Sequence, residues 1–315
     1  MGGDLAPSEI VLGSLRAAEQ LGVPIILVGR TSELGDTGDL EVFEASEVIE
    51  MTDEPGAAIR RKKDSSLVRC AELVRDGKAS AMVSAGNTGA TMGSALLRMG
   101  RIKGVSRPAV ATPIPVPGST PTTLFDAGAN AECQPEWLVQ FAQMGSAYAR
   151  ARFAIDAPKV GLLSIGEEPT KGNSLVKDTH ALLSSAGGVN FIGNVEGRDI
   201  MTTAVDVVVT DGFTGNVVLK ALEGGMQAIA KGLLDAFSTT PERQRARDEL
   251  MPALLEFYGV MNPDTYGGAF LLGTDGVCVI CHGSSNAGAI ANAIGVATEM
   301  VATDLVGVLR SAVAK

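Results

Sequence analysis

The sequence predicts an α/β protein, a two-domain doubly wound sheet, and three observations predict it. Short Val-, Ile- and Leu-rich runs alternate with longer stretches of helical apolar spacing. The apolar runs are continuous rather than alternating, as in parallel strands covered on both faces. The chain has 315 residues, 45% of them hydrophobic, which suits about two domains with proper cores and excludes wholesale disorder.

The elements follow in order. Val11, Leu15 and Ala18 share one face of a helix that Gly22 can end. Residues 24–29 read as a buried strand. Leu67, Cys70, Ala71 and Val74 make a second helical face, and residues 81–84 a second strand. Four prolines between 113 and 121 suggest a boundary. The expected domains are therefore 1–112 plus 266–315, and 113–265. Residues 123–125, 160–164 and 205–209 read as further strands. Residues 134–152 form a long helix whose end carries Arg150 and Arg152, favourable for its dipole. In 237–261, Arg243, Arg245 and Arg247 precede Leu250, Met251, Leu254, Leu255, Phe257 and Tyr258, an amphipathic face for a membrane or a dimer core. Residues 276–281 make a last strand and 287–309 a final helix.

Composition excludes several function classes. The net charge of −10 argues against general DNA binding, and 4% aromatics with the single Trp137 argue against a base-stacking platform. No apolar run reaches 18 residues, and the first residues show no signal sequence, so a cytoplasmic location is the default expectation. The four cysteines read as buried thiols. Cys278-Val279-Ile280-Cys281-His282 matches a haem-attachment pattern but sits in a short apolar run and reads as strand. There is no Gly-x-Gly fingerprint, P-loop or Gly-x-Ser-x-Gly elbow, and two histidines cannot make a multi-histidine metal site. No cofactor and no metal are expected.

The glycine content, about 12%, exceeds the usual ~7%, and much of it falls at strand ends. Five polar junctions carry it: 84–90, 126–130, 164–173, 210–216 and 282–286. Ligands bind at the carboxyl ends of strands in open α/β sheets, and helix amino termini favour anions. Taken singly, each junction is explained by N-capping and tight turns. Taken together, with Lys171 and Asp211 among them, they point to a shared anion-binding cleft. Two basic zones, Arg60-Arg61-Lys62-Lys63 and Arg98, Arg101, Lys103 and Arg107, read either as solvated surface or as a docking patch for an acidic partner.

Several segments carry a resemblance. They include Met1-Gly2-Gly3-Asp4-x-Ala6-Pro7, Arg61-Lys62-Lys63-Asp64-Ser65-Ser66, Ser84-Ala85-Gly86-Asn87-Thr88-Gly89-Ala90 and Leu124-Phe125-Asp126-Ala127-Gly128-Ala129-Asn130. They continue with Thr170-Lys171-Gly172-Asn173, Asp211-Gly212-Phe213-Thr214-Gly215-Asn216-Val217-Val218-Leu219-Lys220 and His282-Gly283-Ser284-Ser285. In this order, over nearly the whole chain, they resemble the bacterial phosphate acyltransferase family, which makes acyl phosphate from acyl-acyl carrier protein and inorganic phosphate. The resemblance implies a fold related to phosphate acetyltransferases and isocitrate dehydrogenase. It also implies a homodimer, peripheral membrane association, and delivery of product to a glycerol-3-phosphate acyltransferase at the start of phospholipid synthesis. The family begins with a strand leading into the motif at Met1, so that first strand is expected to be missing. Residues 237–261 match the family only loosely.

The reaction so implied attacks a thioester carbonyl with an already ionised phosphate, so positioning and oxyanion stabilisation dominate. Lys171 is the first candidate for a phosphate or oxyanion contact. Asn216 and Asn87 can donate amide N–H groups, and Asp211 can orient Lys171 or Asn216, or simply cap a helix. His282 can protonate the leaving thiolate or orient phosphate, or merely pack; His180 reads as structural. Gly86, Thr88, Asn130, Asn173, Gly212, Thr214, Gly215 and Ser284 complete the expected phosphate-binding set. Arg60, Arg61, Lys62, Lys63, Arg101 and Lys103 form the expected carrier-protein dock. The alternatives are a coenzyme A-dependent phosphate acetyl- or butyryltransferase, an NAD-dependent decarboxylating dehydrogenase, whose metal-binding aspartate cluster is not apparent, and a non-enzymatic docking module.

Overall fold

Helices and strands alternate from the first turn of the computed structural model, which describes residues 1–314 apart from the side chains of 263 and 264. α1 (Ser8–Leu21) ends at Gly22, whose φ of 64° only glycine adopts without strain and whose N–H donates to the Ala18 carbonyl. β1 (Ile26–Gly29) and β2 (Glu41–Glu44) pair in parallel. α2 (Pro55–Arg61), α3 (Ser66–Arg75), β3 (Ala81–Ser84) and α4 (Thr88–Arg98) follow. β4 (Ala109–Ile114) and β5 (Thr122–Phe125) form an antiparallel hairpin. Then come α5 (Pro135–Phe153), β6 (Lys159–Leu163), α6 (Ser174–Ser185), β7 (Asn190–Val195) and β8 (Val207–Val209). α7 (Gly212–Phe237) and α8 (Pro241–Met261) form a helical hairpin, and β9 (Ala269–Leu272), β10 (Val277–Ile280), α9 (Ala287–Ala302) and α10 (Leu305–Val313) close the chain.

Three expectations need correction. The run 287–309 is two helices, because Asp304 adopts a left-handed φ of 49° and its side chain caps α10 at Gly307 N. The expected boundary at 112/113 falls inside β4, where Pro113 pairs with Thr123, so these prolines flank a hairpin. And the sheet is mixed. Its eight strands run β3-β10-β9-β4-β5-β8-β6-β7. β3 with β10, and β5, β8, β6 and β7 together, are parallel sets, but β9 and β4 join them through three antiparallel pairings. Three reversals leave β3 and β10 pointing opposite to β5, β8, β6 and β7.

The central strands are wholly buried, as their continuous apolar runs require. Neighbouring residues serve opposite faces. Phe125 joins Phe141, Tyr148 and Phe270 in one core, and Leu124 joins Leu163, Val208 and Leu271 in the other. Burying one such Phe is worth about 3–5 kcal/mol against Ala. β1 and β2 stand apart as a two-stranded sheet. Between β1 and β3 lies a cavity of about 790 Å³ lined by Leu27, Val28, Met82 and Val83, with Met1 at its wall. Burial there lowers the pKa of the Met1 amino group.

Candidate active site

Strand direction sorts the five junctions into two groups. β5, β8 and β6 are adjacent and parallel, so 126–130, 210–216 and 164–173 emerge side by side. β3 and β10 are adjacent, so 84–90 and 282–286 form a second group, at the other edge by strand direction.

In the first group, Asp126 is fully buried and organises the junction. Its carboxylate accepts from the backbone N–H groups of Val110, Gly128, Ala129 and Asn130 and from Asn130 Nδ2. Burial pushes its pKa up, against these donors, which favour the carboxylate. Sequence reasoning placed no role on Asp126, although an Asp followed by small residues signals such a turn. α7 then docks closely on this loop. Gly212 N donates to the Asn130 carbonyl at 2.7 Å, and a Cβ at Gly212 would stand 2.8 Å from Asp126 Oδ2. That closeness explains the glycines of 211–216.

The first turn of α7 consumes most of its own donors. Asp211 caps Thr214 N and bonds the Thr214 hydroxyl, each at 2.8 Å, and Gly215 N donates to the Asp211 carbonyl. The Phe213 N–H is left over, and Asn216 is exposed with no hydrogen bond to any described residue. On the neighbouring junction Lys171 is exposed and makes no ion pair among the described residues. Its loop is fixed by Lys171 N to Glu168 O at 2.9 Å and by Asn194 Nδ2 to the same carbonyl. Asn173 caps α6 through Val176 N. The edge thus presents a lysine, an amide side chain and a helix dipole together.

In the second group, Asn87 is spent on structure. Its Oδ1 accepts from Ala90 N, and its Nδ2 donates to the carbonyls of Met51 and Asp53. Thr88 begins α4, and Gly86 N donates to Ser84 Oγ. The motif at Met1–Asp4 nests here: Asp4 N donates to Gly283 O at 2.9 Å, and a Cβ at Gly3 would stand 2.7 Å from Ala85 O. Ser284 is exposed, and so is His282, whose Nε2 lies 3.7 Å from Glu223 Oε1 on α7. Glu223 stands eleven residues after Gly212, about 16 Å along the helix. α7 therefore reaches from one group to the other. Glu223 was not foreseen, because its partner is remote in sequence.

The basic residues are unequally free. Arg61 and Lys63 are exposed on or after α2, whereas Arg60, also exposed, donates Nε to the Gly56 carbonyl and Lys62 Nζ bonds Asp53 and the Val48 carbonyl. Arg101 bonds the Ser106 carbonyl, and Lys103 is exposed. No disulfide joins the four cysteines among the described residues. Burial pushes Cys70 up to about 11 and Cys133 and Cys278 up to about 12, which makes them poor nucleophiles.

The model of the fatty acid synthesis protein family matches residues 1–307. A phosphate acyltransferase of Pelotomaculum thermopropionicum is 50% identical over 320 residues, covering 99% of this chain and 93% of that protein. One from Desulfitobacterium hafniense is 50% identical over 310 residues, covering 96% and 92%. Among solved structures, a branched-chain phosphotransacylase from Enterococcus faecalis superposes with a TM-score of 0.63 at 16% identity over 95% of this chain and 96% of its own. A phosphotransacetylase from Streptococcus pyogenes gives 0.62 at 17% over 92% and 91%. Those structural likenesses establish the α/β fold. The sequence match over almost the full length places the chain, as a member, in the fatty acid synthesis protein family, beside enzymes named phosphate acyltransferase.

Proposed function

We propose that the chain transfers a fatty acyl group from acyl-acyl carrier protein to inorganic phosphate, giving acyl phosphate. The observation that carries this reading is the edge where the Lys171 and Asn216 side chains and the Phe213 N–H have no partner among the described residues, beside the amino terminus of α7. Phosphate settles there against the positive end of the helix dipole, with the Lys171 ammonium neutralising its charge. A phosphate oxygen attacks the thioester carbonyl, and Asn216 N–H bonds to the oxyanion that develops. His282 protonates the departing thiolate. Asp211 holds the first turn of α7 rigid, so Asn216 is aimed by the helix rather than by a loop.

Two surfaces fit the expected partners. Arg61, Lys63 and Lys103 offer free charge to an acidic carrier protein, while Arg60, Lys62 and Arg101 brace the surface that bears them. On the α7–α8 hairpin Ile229 is 74% exposed, Leu255 62% and Phe257 56%, an uncovered apolar surface that suits a homodimer and contact with a membrane surface. Its product, an acyl phosphate, is the donor that a glycerol-3-phosphate acyltransferase consumes.

Acyl phosphate formation is assayed with acyl-acyl carrier protein and phosphate, for the wild type and for Lys171→Ala. The variant is expected to lose at least about a hundredfold in kcat/KM for phosphate. Full activity in Lys171→Ala removes this lysine from the mechanism. Faster turnover of acyl-coenzyme A than of the carrier-protein thioester establishes the coenzyme A-dependent alternative instead.

A further inference from the structure

α7 carries a polar face that the mechanism above uses only at Asn216. Asn216, Lys220 and Glu223 stand at i, i+4 and i+7, so they line one side of the helix over about 10 Å. Glu223 Oε2 accepts from Lys220 Nζ at 2.8 Å. Its Oε1 is buried without a hydrogen-bond donor among the described residues, 3.7 Å from His282 Nε2. His282 belongs to the other group of junctions, just past β10. A buried carboxylate oxygen without a donor is uncommon and unfavourable. An approach of about 0.8 Å makes the His282 contact an ordinary N–H···O bond, and catalytic hydrogen bonds commonly tighten only around substrate.

We infer that Glu223 is a positioning residue: its carboxylate holds the His282 imidazole by Nε2–H and the Lys220 ammonium by Nζ, turning both toward the face that carries Asn216. The inference rests on the acyl transfer proposed above. There the C–O bond to phosphate forms as the C–S bond breaks. The departing thiolate takes its proton from Nδ1–H of the His282 imidazolium, which becomes neutral imidazole. Glu223 exchanges no proton; it fixes the ring so that Nδ1, rather than Nε2, meets the sulfur.

The test is a double-mutant cycle on the full chain, read as phosphate-dependent acyl phosphate formation. The near-isosteric Glu223→Gln is expected to lower kcat about tenfold, with KM for phosphate changing less than about threefold. In a His282→Gln background the same substitution is expected to change kcat by less than about twofold. Glu223→Asp, which keeps the charge but retracts it, falls between. Equal losses in both backgrounds, or full kcat in Glu223→Gln, overturn the inference. A wild type that makes no acyl phosphate defeats the functional reading instead. The inference is then decided by ring nitrogen NMR, because the chain has only two histidines and His180→Gln assigns them. Glu223→Gln must move the His282 ring signals and leave those of His180 in place; unmoved His282 signals refute it.

Discussion

Gly215→Ala tests whether the α7 amino terminus is set by close approach to the Asp126 loop. A Cβ at 215 would overlap the Asp126 carbonyl oxygen, far inside van der Waals contact distance, and would lie 3.0 Å from its carbon. That backbone cannot retreat. Asp126 N donates to Thr210 O at 3.1 Å, and its carboxylate is tied by five donors. The first turn of α7 must move instead, which pulls Gly212 N from the Asn130 carbonyl. Overpacking costs about 1–3 kcal/mol, and a buried hydrogen bond left unmade costs a further ~1–3 kcal/mol. At about 2.1 cal/mol/K of unfolding entropy per residue, a loss of about 4 kcal/mol lowers Tm by roughly 6 °C in a chain of 315 residues. Gly224→Ala on the same helix is the control, because nothing lies within 4 Å of its added Cβ. It is expected to gain about 0.5–1 kcal/mol from helix propensity. Melting curves followed by circular dichroism read both variants. Wild-type Tm in Gly215→Ala, or equal losses in the two, refutes the close-approach argument.

Two further outcomes are expected. Leu254→Glu/Leu255→Glu places two charges on the uncovered α8 and should abolish liposome binding; unchanged binding by a still-dimeric variant excludes the membrane role, and a monomeric product identifies a dimer surface. Four valines added ahead of Met1 should thread between β1 and β3. At about 1.5–3 kcal/mol per buried Val against ~1–2 kcal/mol of backbone entropy per residue, the added strand gains about 2–4 kcal/mol, so Tm should rise by roughly 3–6 °C; an unchanged Tm shows that the cavity does not accept a strand.

Strand position was legible because continuous apolar runs such as 81–84 and 205–209 have few other uses. Strand direction was not. A buried run reads alike in parallel and antiparallel pairing, so the reversals at β9 and β4 leave no local trace. The long α7 was most legible at its start, where Asp211 and two glycines mark a cap. Beyond Glu223 a signal was present, an apolar stripe of Met226, Ile229, Ala230, Leu233, Leu234 and Phe237 at helical spacing, but it is largely uncovered and belongs to no core. The break at Asp304 had a signal, an aspartate able to cap, but it lay inside an unbroken apolar pattern that outweighed it.

Capping and anion binding looked like rival accounts of the same junctions, yet counting hydrogen bonds divides the labour residue by residue. Asn173 commits only its Oδ1, whereas Asn87, Asn130, Asp211 and Thr214 have their polar atoms committed to caps and loop ties. They build the edge and have little left to offer phosphate. Lys171, Asn216 and the Phe213 N–H are uncommitted, and all belong to adjacent junctions on one side of the sheet. A group already satisfied inside the protein must break a bond to bind a ligand, whereas a free donor gives up only water. The uncommitted groups therefore favour phosphate by the energy the committed ones have already used. The committed ones make that advantage repeatable by fixing where Asn216 points.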